Sequence, residues 1–228
     1  FTHRQADRHQ DHRLASELYV RLGEISLDLA RAAPAEEARR MRSKALAAFQ
    51  AAQTPRLRGR DPLWWAEVKM RIARASLVIG EADGDVTAMR DGVVAAKALR
   101  VMGPGIVAER AARALGVLGD IFAALARAEP QRQWRVHALA ASEEALGITD
   151  PGASPGPWAD LQVKIAGLLM PEGDEPDAER IELAIGRYRS ALKLLDPKAL
   201  RVPRIQRLLA DALVASGKRR LDLARLDE

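Results

Sequence analysis

The chain has 228 residues, 48% of them hydrophobic and 29% charged, with a formal net charge of +5. That balance describes a globular protein long enough to bury one or two cores. It contains no Cys and no Asn, which excludes disulfides, thiolate metal sites, cysteine nucleophiles and N-glycosylation. No apolar run approaches the ~18 residues that a membrane helix needs.

Apolar residues recur at helical spacing along the whole chain. Leu18, Leu22, Ile25 and Leu29 form the first stripe, at i, i+4, i+7 and i+11. A partner helix over 35–53 follows Pro34, which suits a first helical turn. "TPRLRGRDP" (54–62) reads as a loop. Met70, Ile72, Ala73, Leu77 and Ile79 form the second stripe, with a partner helix over 85–101, closed by Gly103-Pro104-Gly105. Leu115, Leu118, Ile121 and Phe122 form the third, with a partner over 131–147 opened by Pro130. "TDPGASPGP" (149–157) is the longest Pro/Gly loop. Leu161, Ile165 and Leu168 form the fourth, with a partner over 177–195, closed by Asp196-Pro197. Leu208, Leu209, Ala212 and Leu213 form the last, with a short partner over 217–227. The expectation is a single all-α domain over 1–228 made of five hairpins, at about 11–53, 62–101, 105–147, 157–195 and 203–227.

The hairpins repeat. "WAEVKMRIA" (65–73) returns as "WADLQVKIA" (158–166), 93 residues later. Pairs of a large and a small residue recur in each first helix: Leu22-Gly23, Ile72-Ala73, Leu115-Gly116, Ile165-Ala166 and Leu209-Ala210. Second helices carry Ala45, Phe49, Ala52; Ala138, Ser142, Ala145; Ala184, Tyr188, Ala191; and a weaker copy at Asp91, Ala95, Ala98. This pattern resembles the tetratricopeptide repeat, with units of 43 to 50 residues where the family has about 34. The resemblance implies a right-handed α-solenoid of about five antiparallel hairpins. Small residues would let paired helices approach, the aromatics would fill the gap to the next hairpin, and stacking would bury the apolar faces.

The same resemblance implies a concave groove lined by first helices that holds a segment of another protein. Carried over position by position, the groove residues are Glu67, Met70 and Arg74, then Arg110 and Arg113, then Arg204 and Arg207, with Glu17 and Glu24 at its acidic start. The arginines would grip a carboxylate or phosphate by bidentate bonds. The paired asparagines of the chaperone-binding members are missing, so any ligand is held differently. An acidic peptide is the expected partner. The function that follows is an adaptor, or a regulatory or sensor segment of a larger bacterial protein. The chain opens on Phe1 rather than Met and shows no targeting signal, and a cytoplasmic location is expected.

The alternative is a basic helical-repeat domain that binds nucleic acid. Residues 1–60 hold 12 Lys/Arg against 7 Asp/Glu, while the rest is neutral, and "RLRGR" (56–60) is the densest basic run. No membrane partner is expected. Neither is a reaction: no P-loop, HExxH, GxGxxG or nucleophile elbow is present, and the carboxylate pairs lack a nearby base. His9 and His12 with Asp7 or Asp11 have helical spacing for a metal, but they read as a solvated terminal stretch, so neither metal nor cofactor is assigned. Trp65 and Trp158 are expected in the core, and Trp64 is the candidate for an exposed contact.

Overall fold

The computed structural model describes residues 2–100, 108–129, 132–171 and 177–226. Among them the chain is all-helical. Its helices are α1 (Thr2–Ala32), α2 (Ala35–Ala51), α3 (Pro55–Arg60), α4 (Pro62–Asp83), α5 (Val86–Arg100), α6 (Ala108–Ala128), α7 (Arg132–Ile148), α8 (Pro155–Leu169), α9 (Ala178–Leu194) and α10 (Val202–Leu226). The chain divides into two compact units, Phe1–Trp134 and Arg135–Glu228.

Local chemistry sets the helix ends. Asp61 accepts the Trp64 amide at 3.1 Å and Pro62 opens α4. Asp85 accepts the Ala88 amide at 2.9 Å, and Asp177 accepts that of Arg180 at 3.0 Å. Each cap satisfies a helix donor that has no intrahelical partner. Gly84 closes α4 at φ +69°, a left-handed turn that favours glycine, so α5 folds back after two linking residues.

In the first unit α1 packs on α2, α2 on α4, α4 on α5, and α6 on both α4 and α5. Gly23 makes room for Phe49: a Cβ there would come within 2.7 Å of Phe49 Cδ1 and Cζ. Phe49 is 1% exposed and Ala45 and Ala52 are fully buried, as the phrase in this helix leads one to expect. A clasp joins α2 to the end of α4. Arg42 donates through Nε to Asp83 Oδ2 at 3.0 Å and through Nη2 to Oδ1, and Arg39 donates to the Asp83 carbonyl at 3.3 Å.

In the second unit Ile165, Ala166 and Leu169 of α8 meet Ile181, Ala184, Ile185 and Tyr188 of α9 and Ile205 and Ala212 of α10. Leu139 and Leu146 of α7 lie against this core. Ala138, Ser142 and Ala145 are fully buried, as are Ala184 and Ala191, with Tyr188 at 2%.

Four expectations need correction. Residues 203–227 are not a hairpin: α10 runs unbroken from Val202 to Leu226. Gly217 alone costs only about 1 kcal/mol in a helix, and no proline follows it. Ala210 is accordingly exposed, with no partner helix to admit. The segment 54–62 is not wholly a loop, since Pro55 opens the short helix α3. In α5 the buried phrase is Ala88, Gly92 and Ala95, three residues earlier than expected, and Asp91 is exposed. A Cβ at Gly92 would lie 2.8 Å from Ser76 Cβ and 3.1 Å from Ile121 Cδ1, so here close approach replaces the aromatic plug. Finally, the first apolar stripe points outward. Leu18, Leu22, Ile25 and Leu29 are all exposed, and α1 buries Ser16, Val20, Gly23, Ser26 and Ala30 instead. Gly103, Pro104, Gly105 and Pro130 lie outside the described residues.

Candidate functional site

The first unit holds a small, open cleft lined by Ala66, Glu67, Met70 and Arg74 of α4, Leu99 of α5, and Arg110 and Arg113 of α6. Five of the seven groove residues expected from the sequence meet there. Helical spacing explains the grouping: Glu67, Met70 and Arg74 sit at i, i+3 and i+7 of one helix face, and Arg110 and Arg113 at i and i+3 of another. Arg204 and Arg207 belong to α10 in the second unit, and both are exposed.

The charges in the cleft are unevenly matched. Glu67 accepts from Arg71 on its own helix, and Arg71 Nε also donates to Glu24 Oε1 at 3.1 Å. Arg113 donates to Glu109 Oε1 at 2.6 Å. Arg110 is different. Its Nη1 is shut off from solvent and has no hydrogen-bond partner among the described residues. Leaving a buried charged donor unmade costs more than the ~1–3 kcal/mol of a neutral one. Arg74 is exposed and makes no hydrogen bond or ion pair among the described residues. Three guanidinium groups thus face one carboxylate that is already engaged. Met70 and Leu99, 7% and 3% exposed, provide an apolar floor. The arrangement is chemically suited to an anion carried on an apolar body.

Ala66 and Leu99 were missed as cleft residues, and so was Arg71, which does not line the cleft but engages its Glu67. Arg71 had a signal: it lies four residues after Glu67, the spacing of a helical ion pair. Leu99 had none, because its helix was assigned no groove position.

Trp64 is not an exposed contact. It is half-buried, its Nε1 donates to Ser16 Oγ at 2.8 Å, and Ser16 Oγ donates to the Ala52 carbonyl at 2.7 Å. The Arg13 guanidinium lies over the Trp64 ring at 4.1 Å. Arg13 also pairs with Asp61 and with Glu17, the latter at 2.6 Å. Trp65 is buried as expected, while Trp158 is half-buried. Arg58 of the "RLRGR" run and Lys69 both lie over the Trp65 ring, at 5.4 and 5.2 Å. Burial, and then the Arg58 charge, hold the Lys69 ammonium below its ordinary pKa.

Among the described residues no group of three His, Asp or Glu side chains could hold a metal ion. The side chains of His3, Asp7, His9 and Asp11 lie outside the description. No described helix is long and apolar enough to cross a membrane. Compared with protein-family models and with curated protein sequences, the chain matches none.

Proposed function

We propose that the chain is a protein–protein interaction module of the tetratricopeptide-like kind, an adaptor or a regulatory or sensor segment, that takes an acidic peptide into the α4–α6 cleft. The observation that carries this reading is the unpartnered, buried Nη1 of Arg110 beside the uncommitted Arg74 and the apolar floor of Met70 and Leu99. A peptide carboxylate would supply the missing acceptors to Arg110 and Arg74, while an adjacent apolar side chain would cover Met70 and Leu99. The hydrogen bonds would be charge-assisted and bidentate, and so stronger than neutral ones. The solenoid expected from the repeat, with its groove on the first helices, belongs to the same proposal.

A random peptide library selected on the chain tests it. The expected winners pair an acidic residue or a free C-terminus with a large apolar neighbour, and they lose affinity for a variant carrying Arg74→Ser, Arg110→Ser and Arg113→Ser. Winners without acidic character, or equal affinity for the variant, would refute the cleft. Oligonucleotide binding with a steep salt dependence and no peptide selection would favour the nucleic-acid alternative. Against that alternative, Arg58 and Lys69 are packed on Trp65 rather than presented together.

A further inference from the structure

α1 carries an apolar stripe that its own chain leaves uncovered. Leu14, Leu18, Leu22, Ile25 and Leu29 are each between 40% and 63% exposed. At about 100° per residue they fall within an arc of about 80° on the helix. They extend along about 22 Å of its length. The face that α1 turns to its neighbours is built instead from smaller residues, Ser16, Val20, Gly23, Ser26 and Ala30. The small face lets Phe49 approach, but a monomer gains nothing from leaving the larger apolar residues exposed on the other side. Contiguous apolar surface of this kind marks an association site.

The rhythm and the charges say what covers it. Leu18, Leu22, Ile25 and Leu29 follow one another at 4, 3 and 4 residues, the seam of two paired helices. Arg21 and Asp28 lie along one edge of that seam, with side chains 75% and 69% exposed. Their ion pairs are with Glu24 and Arg31 of the same helix, at 3.5 and 2.9 Å, and leave both side chains in solvent. The two charges are opposite, and they sit either side of the middle of the stripe. A parallel, in-register pairing would put the two copies of this charged edge on opposite sides of the seam, so Arg21 and Asp28 would not meet across it. An antiparallel pairing about a two-fold axis near Gly23 and Glu24 sets Leu18 against Leu29, Leu22 against Ile25, and Arg21 toward Asp28, in both directions at once. This is the self-complementarity that a two-fold interface requires.

We infer that α1 is a homodimerisation face: it pairs antiparallel with α1 of a second copy through the Leu14–Leu29 stripe, with Arg21 and Asp28 fixing the direction.

Sedimentation equilibrium of the native chain, from micromolar to hundreds of micromolar, tests it alongside three sets of variants. The native chain forms a closed dimer. Leu22→Lys with Ile25→Lys gives a monomer whose helix content by circular dichroism is unchanged, since both positions face solvent. Arg21→Asp and Asp28→Arg each weaken the dimer about tenfold, because each turns two equivalent attractions into repulsions. Mixing those two variants restores the affinity. Because the chain has no Cys, Leu18→Cys and Leu29→Cys report direction: the mixture cross-links between the two variants, and neither cross-links with itself. A native chain that stays monomeric, one that forms open-ended polymers, or Leu29→Cys linking to itself would overturn the proposal.

Discussion

Gly23→Ala is the substitution that probes the packing logic of the fold most sharply. Placed in an exposed helix, alanine in place of glycine is worth about 1 kcal/mol of stability. Here the new methyl would fall on the Phe49 ring, within 2.7 Å of Cδ1 and Cζ, where van der Waals contact needs well over 3 Å. The ring has nowhere to retreat, since Phe49 is 1% exposed and is flanked by Ala45 and Ala52 at 0%. Overpacking of this kind costs about 1–3 kcal/mol. The net expectation is a loss of about 1 kcal/mol, despite the gain in helix propensity. In a chain of this size that is about 2–4 °C in Tm. Urea unfolding followed by circular dichroism measures it. Phe49→Leu alone should destabilise, and the double variant should lose less than the sum of the two. A Gly23→Ala variant more stable than the native chain, or strict additivity, would refute the claim that Gly23 exists to admit Phe49.

Asp83→Asn should cost about 2–3 kcal/mol, because it leaves the half-buried Arg42 without its bidentate partner. The hydrogen bond from Arg42 holds the Asp83 carboxyl below its ordinary pKa. Its contribution is therefore complete above about pH 4 and is lost as pH falls through the depressed value. A pH series of unfolding should show the native chain losing stability in acid more steeply than Asp83→Asn. Ser142→Ala should stabilise by about 1 kcal/mol, since the Ser142 hydroxyl is fully buried and makes no hydrogen bond among the described residues. A Tm below that of the native chain would mean the hydroxyl is satisfied. Ser16→Ala should destabilise by about 1–2 kcal/mol by removing both the bond to Ala52 and the acceptor of Trp64 Nε1, and should shift the tryptophan emission. An unchanged spectrum would contradict that placement of Trp64.

The helices of the first four expected hairpins were legible because their signals are local. Pro34 opens a helix and Asp196-Pro197 closes one through their own backbone chemistry, and Ala45, Phe49 and Ala52 mark a buried face by type and spacing alone. The fate of α1 was not legible. Periodicity shows that Leu18, Leu22, Ile25 and Leu29 share a face, but not which face meets the rest of the chain. Gly23, which makes room for Phe49, turns the opposite face inward. Trp64 was misplaced for the same reason: its neighbour Trp65 takes the core, but Ser16 and Arg13, 48 and 51 residues away in sequence, enclose it from the other side. Of the cleft, the α4 and α6 residues came from the groove positions that the tetratricopeptide resemblance implies, whereas the ion pair that occupies Glu67 and the isolation of Arg110 depend on three-dimensional neighbours. The fifth hairpin failed because nothing between Val202 and Leu226 stops a helix, and α10 runs through Gly217.

The central claim is that Arg110 is held unpaired for a ligand. The most direct measurement is Arg110→Leu, read two ways: urea unfolding, and the ¹³C-methyl resonance of Met70 titrated with a peptide selected on the native chain. Removing a half-buried guanidinium with one shut-off, unpartnered nitrogen should make the free chain more stable by about 1 kcal/mol. The same change should abolish the peptide-dependent shift of the Met70 methyl that the native chain shows. A variant that is less stable and still shifts Met70 on adding the peptide would contradict the account, since Arg110 would then serve the fold and not the cleft.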